Sequence, residues 1–227
     1  MPTGSRQIHI LPVRNQKNIW IGTDEGIYIY AYATETFTYF DLTTPNNVRI
    51  TSIVNHILQD KDGNLWFSTN GQGLFRYNLS KNYLEQYEFT SAFGIVASTM
   101  ADSDNQIWAL TNQGESGVYK LNKAENKFEP FGLLYNAGNH HSQALAMLED
   151  SEQTLWLGTW ECGLQKIDKY TRQTTTYLHP TDGKGVTHIH SLMEYAPHQL
   201  LIGSDDGLLL FNTLTEEYKL FTENETV

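Results

Sequence analysis

The sequence predicts an all-β protein, a β-propeller of five four-stranded blades, and three observations predict it. One motif recurs five times: "NIWIGTDEGIYIY" from Asn18, "NLWFSTNGQGLFRY" from Asn64, "QIWALTNQGESGVYKL" from Gln106, "TLWLGTWECGLQKI" from Thr154 and "QLLIGSDDGLLLF" from Gln199. Trp20, Trp66, Trp108 and Trp156 fill one slot of it, with Leu201 in the fifth copy. The slot recurs at spacings of 46, 42, 48 and 45 residues, the period of a four-strand propeller blade. Finally, the tryptophan runs are apolar at consecutive positions, as in Leu65-Trp66-Phe67. A strand half exposed to water would alternate, so both faces of these strands must be covered.

Each period divides into four strands. Strand A is the apolar or alternating run before the slot, as in "IVNHILQD" from Ile53 and "HIHSLMEY" from His188. A polar turn follows, such as Asp60-Lys61-Asp62-Gly63, whose glycine accepts positive φ without steric cost. Strand B is the tryptophan run. Thr23, Thr69, Thr111, Thr159 and Ser204 stand three places after the slot, and Gly26, Gly73, Gly117, Gly163 and Gly207 mark the loop to strand C. Strand D ends on an aromatic, Phe40, Tyr87, Phe131, Tyr177 or Phe221. The blades so predicted run over 8–40, 53–89, 95–131, 143–178 and 188–221 in one domain or segment spanning 1–227. They form either a closed five-bladed ring or an arc of a larger propeller. A β-sandwich is the rival architecture, but it would not demand five equivalent slots.

With strand A innermost, strand D of one blade and strand A of the next are joined on the same face as the B to C loops. The A to B and C to D turns open on the other. The first face carries the longer, more varied segments, and such loops on a rigid scaffold are the usual place for binding. The candidate ligand-binding residues are Tyr135, Asn136, Asn139, His140 and His141, Trp160 and Glu161, and Asp182 and His188 from "HPTDGKGVTH". Trp160 is the one tryptophan outside the repeat slot. An aromatic face beside amide, imidazole and carboxylate groups suits a sugar, whose C–H face stacks while its hydroxyls hydrogen-bond.

Several classes are excluded or weakened. Acidic residues outnumber basic ones 26 to 15, a net charge of −11, and no Lys/Arg cluster offsets it, so no nucleic acid partner and no direct membrane contact are expected. The single cysteine, Cys162, rules out an internal disulfide and a cysteine-based metal framework. The sequence has no 18-residue apolar span and no signal-peptide core, and it reads as a soluble chain without an export address. No metal site and no cofactor are predicted. His140 and His141 are adjacent and point apart in a strand, His188 and His190 share a face without a third ligand nearby in sequence, and Asp60-x-Asp62-Gly63-Asn64 lacks the spacing of a calcium loop. No catalytic residue is predicted either: a five-bladed glycoside hydrolase needs carboxylates at the channel mouth, whereas Asp60, Asp102, Asp150 and Glu194 fall beside the opposite turns.

The succession of strand A, "DxxGNLWxGT", "GGLxRY" and a terminal aromatic resembles the two-component regulator propeller repeat, from about Ile8 to Phe221. The second copy, "DKDGNLWFSTNGQGLFRYN", carries the resemblance most fully. The third departs at Ala109-Leu110 and the fifth has lost its tryptophan. The resemblance implies the periplasmic sensor region of a hybrid two-component system of the Bacteroidetes type, responding to an oligosaccharide, with any kinase activity in a region outside this chain. It further implies packing against other propeller repeats or self-association. A protein-protein scaffold is the alternative.

Overall fold

A computed structural model describes residues 7–12, 18–89, 94–111, 117–133, 143–178 and 186–221. Among them all twenty elements are strands, in five four-stranded antiparallel sheets. The first sheet holds β1 (Gln7–Pro12), β2 (Asn18–Thr23), β3 (Gly26–Ala31) and β4 (Thr36–Tyr39). The second holds β5 (Val54–Gln59), β6 (Leu65–Thr69), β7 (Leu74–Asn78) and β8 (Tyr83–Tyr87), and the third β9 (Ser98–Ala101), β10 (Ile107–Thr111), β11 (Gly117–Asn122) and β12 (Lys127–Leu133). The fourth holds β13 (Ala144–Glu149), β14 (Leu155–Thr159), β15 (Leu164–Ile167) and β16 (Thr174–Tyr177). The last holds β17 (Ile189–Ala196), β18 (Gln199–Ser204), β19 (Gly207–Asn212) and β20 (Tyr218–Phe221). Strands neighbour in chain order within every sheet, the up-and-down arrangement that the repeat predicts. Two compact units divide the chain, one with the first two sheets and most of the third, the other with sheets four and five.

The repeat motif acquires a physical role at each letter. Trp66, Trp108 and Trp156 are essentially inaccessible to water, and burying an indole of ~200 Å² is worth ~5 kcal/mol. Trp20, Trp66 and Trp156 pack between their own sheet and the next in the same unit. Trp66 packs on Tyr87 of its own sheet and edge-on to Phe128 of the third, Trp20 on Phe67 and Tyr77 of the second, and Trp156 on Tyr177 and on Phe211 of the last. Strands β6, β10 and β14 are buried at every position, as the consecutive apolar residues require.

An indole carries an N–H, and a buried donor left unmet costs about 1–3 kcal/mol. The aspartate opening the A to B turn meets it. Asp60 Oδ2 accepts from Trp66 Nε1 at 2.8 Å, Asp102 Oδ2 from Trp108 at 2.9 Å and Asp150 Oδ2 from Trp156 at 2.7 Å. The other oxygen holds the turn: Asp150 Oδ1 accepts the backbone N–H of Glu152 and Thr154, and Asp60 Oδ1 that of Asn64. One left-handed residue closes each of these turns, Gly63 at φ +83°, Asn105 at +57° and Gln153 at +62°. The threonine slot does the corresponding work in the B to C loop, where Thr159 Oγ1 donates to Gly163 O at 2.7 Å and accepts from Cys162 N at 2.9 Å. Gly158 is required by close approach, because a Cβ there would lie 2.4 Å from Ile189 Cγ2 of the last sheet.

Strands β1, β5, β13 and β17 each slip by one residue near their start, so that Ile8, Asn55, Leu145 and His190 are the extra residues of β-bulges. In the first two sheets the next residue along is a histidine. His9 and His56 lie with ring centroids 4.6 Å apart, and His9 Nδ1 accepts from Ile57 N at 3.2 Å, which fixes it as an unprotonated nitrogen. Burial, and secondarily His9, pushes the His56 imidazole down to about 4; burial lowers His9 as well.

Both the aspartate bond and the buried imidazole can be probed by unfolding. Asp150→Ala, which removes the acceptor of a buried indole and uncaps its turn, is expected to lower unfolding free energy by about 2–4 kcal/mol in urea melts. Because the unfolded chain takes up the His56 proton near its ordinary value of 6.5 and the folded chain near 4, stability falls as pH drops through that window, by on the order of 2–3 kcal/mol. His56→Gln is expected to flatten that dependence in melts recorded between pH 7 and pH 4.

Candidate functional site

Within the second unit, two B to C loops and the start of one A strand converge. Trp160 follows Thr159 directly, and its backbone N–H donates to Gln143 O at 3.0 Å, so backbone bonding fixes the loop from which the ring projects. The residue is 40% exposed, unlike the buried repeat tryptophans. Its ring stacks on His188, with centroids 3.7 Å apart and planes inclined by 26°. His188 adopts φ +43°, a left-handed conformation just before β17.

Asp205, the loop residue after Ser204, anchors the imidazoles. Its Oδ2 lies 2.5 Å from His188 Nδ1 and its Oδ1 2.7 Å from His190 Nε2. Hydrogen bonds from His188 and then His190 hold the Asp205 carboxyl below the usual carboxylate range. It is therefore ionised near neutrality and can only accept, which makes His188 Nδ1 and His190 Nε2 the protonated nitrogens. The neighbouring Asp206 Oδ2 accepts from Thr187 N at 2.8 Å and Thr187 Oγ1 at 3.1 Å, pinning the incoming chain. In the first unit Gln72 Oε1 plays this part, accepting from the backbone of Thr51 and Ser52.

Of the residues predicted from sequence, the structure brings Trp160 and His188 into contact and leaves Glu161 exposed on the same loop as Trp160. Tyr135, Asn136, Asn139, His140, His141 and Asp182 lie outside the described residues. The pairing of His188 with His190 has a different cause from the one predicted. Strand spacing does not align them: His188 precedes the strand in a left-handed turn, His190 is the bulged residue, and the shared carboxylate brings both rings to one point. Asp205 and His190 were missing from the predicted site. The signal for Asp205 was available, because it stands one place after the Thr/Ser slot, as Trp160 does one repeat earlier. Among the described residues no group of three or more His, Cys, Asp or Glu is placed to hold a metal ion, and no helix is long and apolar enough to cross a membrane.

The sheets, their common tryptophan wedge and the loop-borne site define a protein of the β-propeller class. Residues 47–71 match the family described as the two component regulator propeller. Histidine kinase P4 of Formosa agariphila is 26% identical over 219 residues, a match covering 91% of this chain and 16% of the kinase. A solved structure described as the extracellular domain of a hybrid two component system from B. thetaiotaomicron superposes with a TM-score of 0.77 at 23% identity, covering 99% of this chain and 29% of that one. Virginiamycin B lyase from Staphylococcus aureus superposes with a TM-score of 0.74 at 16% identity, over 100% of this chain and 73% of the lyase. At these identities the two structures establish the fold alone. The chain spans less than a third of the kinase and of the extracellular domain.

The contrast between Trp160 and the slot tryptophans is open to measurement. Trp160→Ala is expected to change unfolding free energy by no more than about 1 kcal/mol. Asp205→Asn removes the anionic acceptor, and the ring 15N shifts of His188 and His190 are expected to change in NMR spectra.

Proposed function

We propose that the chain is a ligand-recognising part of the periplasmic sensor region of a hybrid two-component system, and that it takes an oligosaccharide at the open face of Trp160. The observation that carries this reading is an exposed indole outside the packing slot, backed by an imidazole that a carboxylate holds in place. Such a surface offers a sugar a flat apolar face with polar groups at its border. The family of the repeat and the likeness to a histidine kinase support the sensor context. In that context phosphoryl transfer belongs to another part of the receptor, and this chain contributes recognition and packing against further propeller repeats.

A second reading, a scaffold that associates through its sheet faces, draws support from apolar side chains exposed on the first and last sheets, among them Ile10, Phe37, Met193 and Leu208. Hydrolysis has less support. Asp60, Asp102 and Asp150, the strand-end carboxylates, are buried and each is engaged by an indole.

A thermal-shift and calorimetric screen of neutral and acidic oligosaccharides tests the proposal. Binding at this site is expected to raise Tm by about 2–5 °C at saturating ligand and to disappear in Trp160→Ala. Oligomerisation with no response to any saccharide would favour the scaffold instead.

A further inference from the structure

The charges bordering Trp160 narrow the class of ligand that its indole takes. His188 is stacked on one face of the ring with centroids 3.7 Å apart, so the 40% of Trp160 that stays exposed belongs to the other face and the ring edges. An indole face attracts cations through its quadrupole, more strongly than the ring of Tyr or Phe does.

The border of that ring is of one sign. Residues 160–162, 186–191 and 203–208 contain Glu161, Asp205 and Asp206 and no Lys or Arg. Two imidazoles, His188 and His190, stand against these three carboxylates, so the border is net negative whatever charge the histidines carry. Two of the carboxylates are fixed in place beside the stack. Asp205 Oδ2 lies 2.5 Å from the same His188 ring that covers the indole, and Asp206 Oδ2 accepts from Thr187, the residue before His188, at 2.8 Å and 3.1 Å. Glu161 is exposed on the loop directly after Trp160. At physiological ionic strength charges act over about 8 Å, and charges as near as these act on whatever lies at the indole. A uronate or sulfate group there is repelled, and an ammonium is drawn in.

We propose that the ligand at Trp160 is an amino saccharide, an oligosaccharide that carries free, protonated amino groups. Its sugar ring stacks a C–H face on the open side of the indole, and its ammonium sits at the border in the field of Glu161, Asp205 and Asp206. This assignment rests on the saccharide reading of the site and adds the charge of the ligand to it.

The probes are the β-1,4-linked glucosamine trimer and cellotriose, which has hydroxyls where the former has amines. Titrations at about pH 6, where the amines are protonated, are followed at the Trp160 indole N–H signal, one of five in a 15N-edited NMR spectrum. The glucosamine trimer is expected to bind ~10-fold more tightly than cellotriose at about 20 mM salt, and the ratio to shrink to ~2-fold at about 0.5 M. In the double variant Glu161→Gln, Asp206→Asn the preference is expected to fall to ~2-fold at low salt as well. Both replacements spare the fold, because Glu161 is exposed and asparagine keeps an oxygen that accepts from Thr187. Equal affinity for the two trimers, or a preference that survives high salt or the double variant, would overturn the amine assignment and leave the saccharide reading standing. A Trp160 signal unmoved by either trimer would overturn both.

Discussion

The bond from a buried indole N–H to the aspartate at the A to B turn is the constraint on which the repeat depends. The indole is the wedge between neighbouring sheets, and burying it costs least when its one polar atom is satisfied away from water. Asp60, Asp102 and Asp150 do this with one oxygen and shape the hairpin with the other. Turn geometry, sheet register and packing between sheets are thus coupled through a single carboxylate. Where the slot residue becomes Leu201 there is no N–H to satisfy, and the preceding hairpin, at Pro197 and His198, has no such aspartate.

Because the wedge is used up in architecture, the residues free to take on other contacts are those that the repeat leaves unconstrained. Trp160 and Asp205 occupy the first loop position after the Thr/Ser slot in consecutive repeats, and β17 begins between them. The scaffold therefore brings together side chains 45 residues apart in sequence without any dedicated element. Asp206 and Gln72 show a second use of such loops: their side chains tie the chain entering strand A to the loop beside it.

Most of the fold was legible in the sequence because each sheet repeats one pattern. The slot, the polar turn and the Gly-containing loop fixed four strands per period, and their predicted limits differ from the observed ones by a few residues. The site was legible only in part. Trp160 stood out by being off the repeat, and His188 by its loop, but their direct stacking and the shared Asp205 arise from tertiary proximity that no spacing encodes. Reading His188 and His190 as strand neighbours failed for a local reason: the positive φ of one and the bulge at the other break the two-residue alternation.

The recurring bulge in the A strands bears on how such a protein diversifies. At Asn55, Leu145 and His190 the chain carries one residue that no partner strand opposes, so its side chain is released from the ladder that governs its neighbours. A change there disturbs neither the register nor the wedge. Asn55 uses that freedom to reach Val96 O beside the adjacent sheet, and His190 uses it to reach the carboxylate of Asp205. Gene duplication of such a blade copies a stable sheet together with a vacant address, and each copy can acquire its own chemistry by a single codon change.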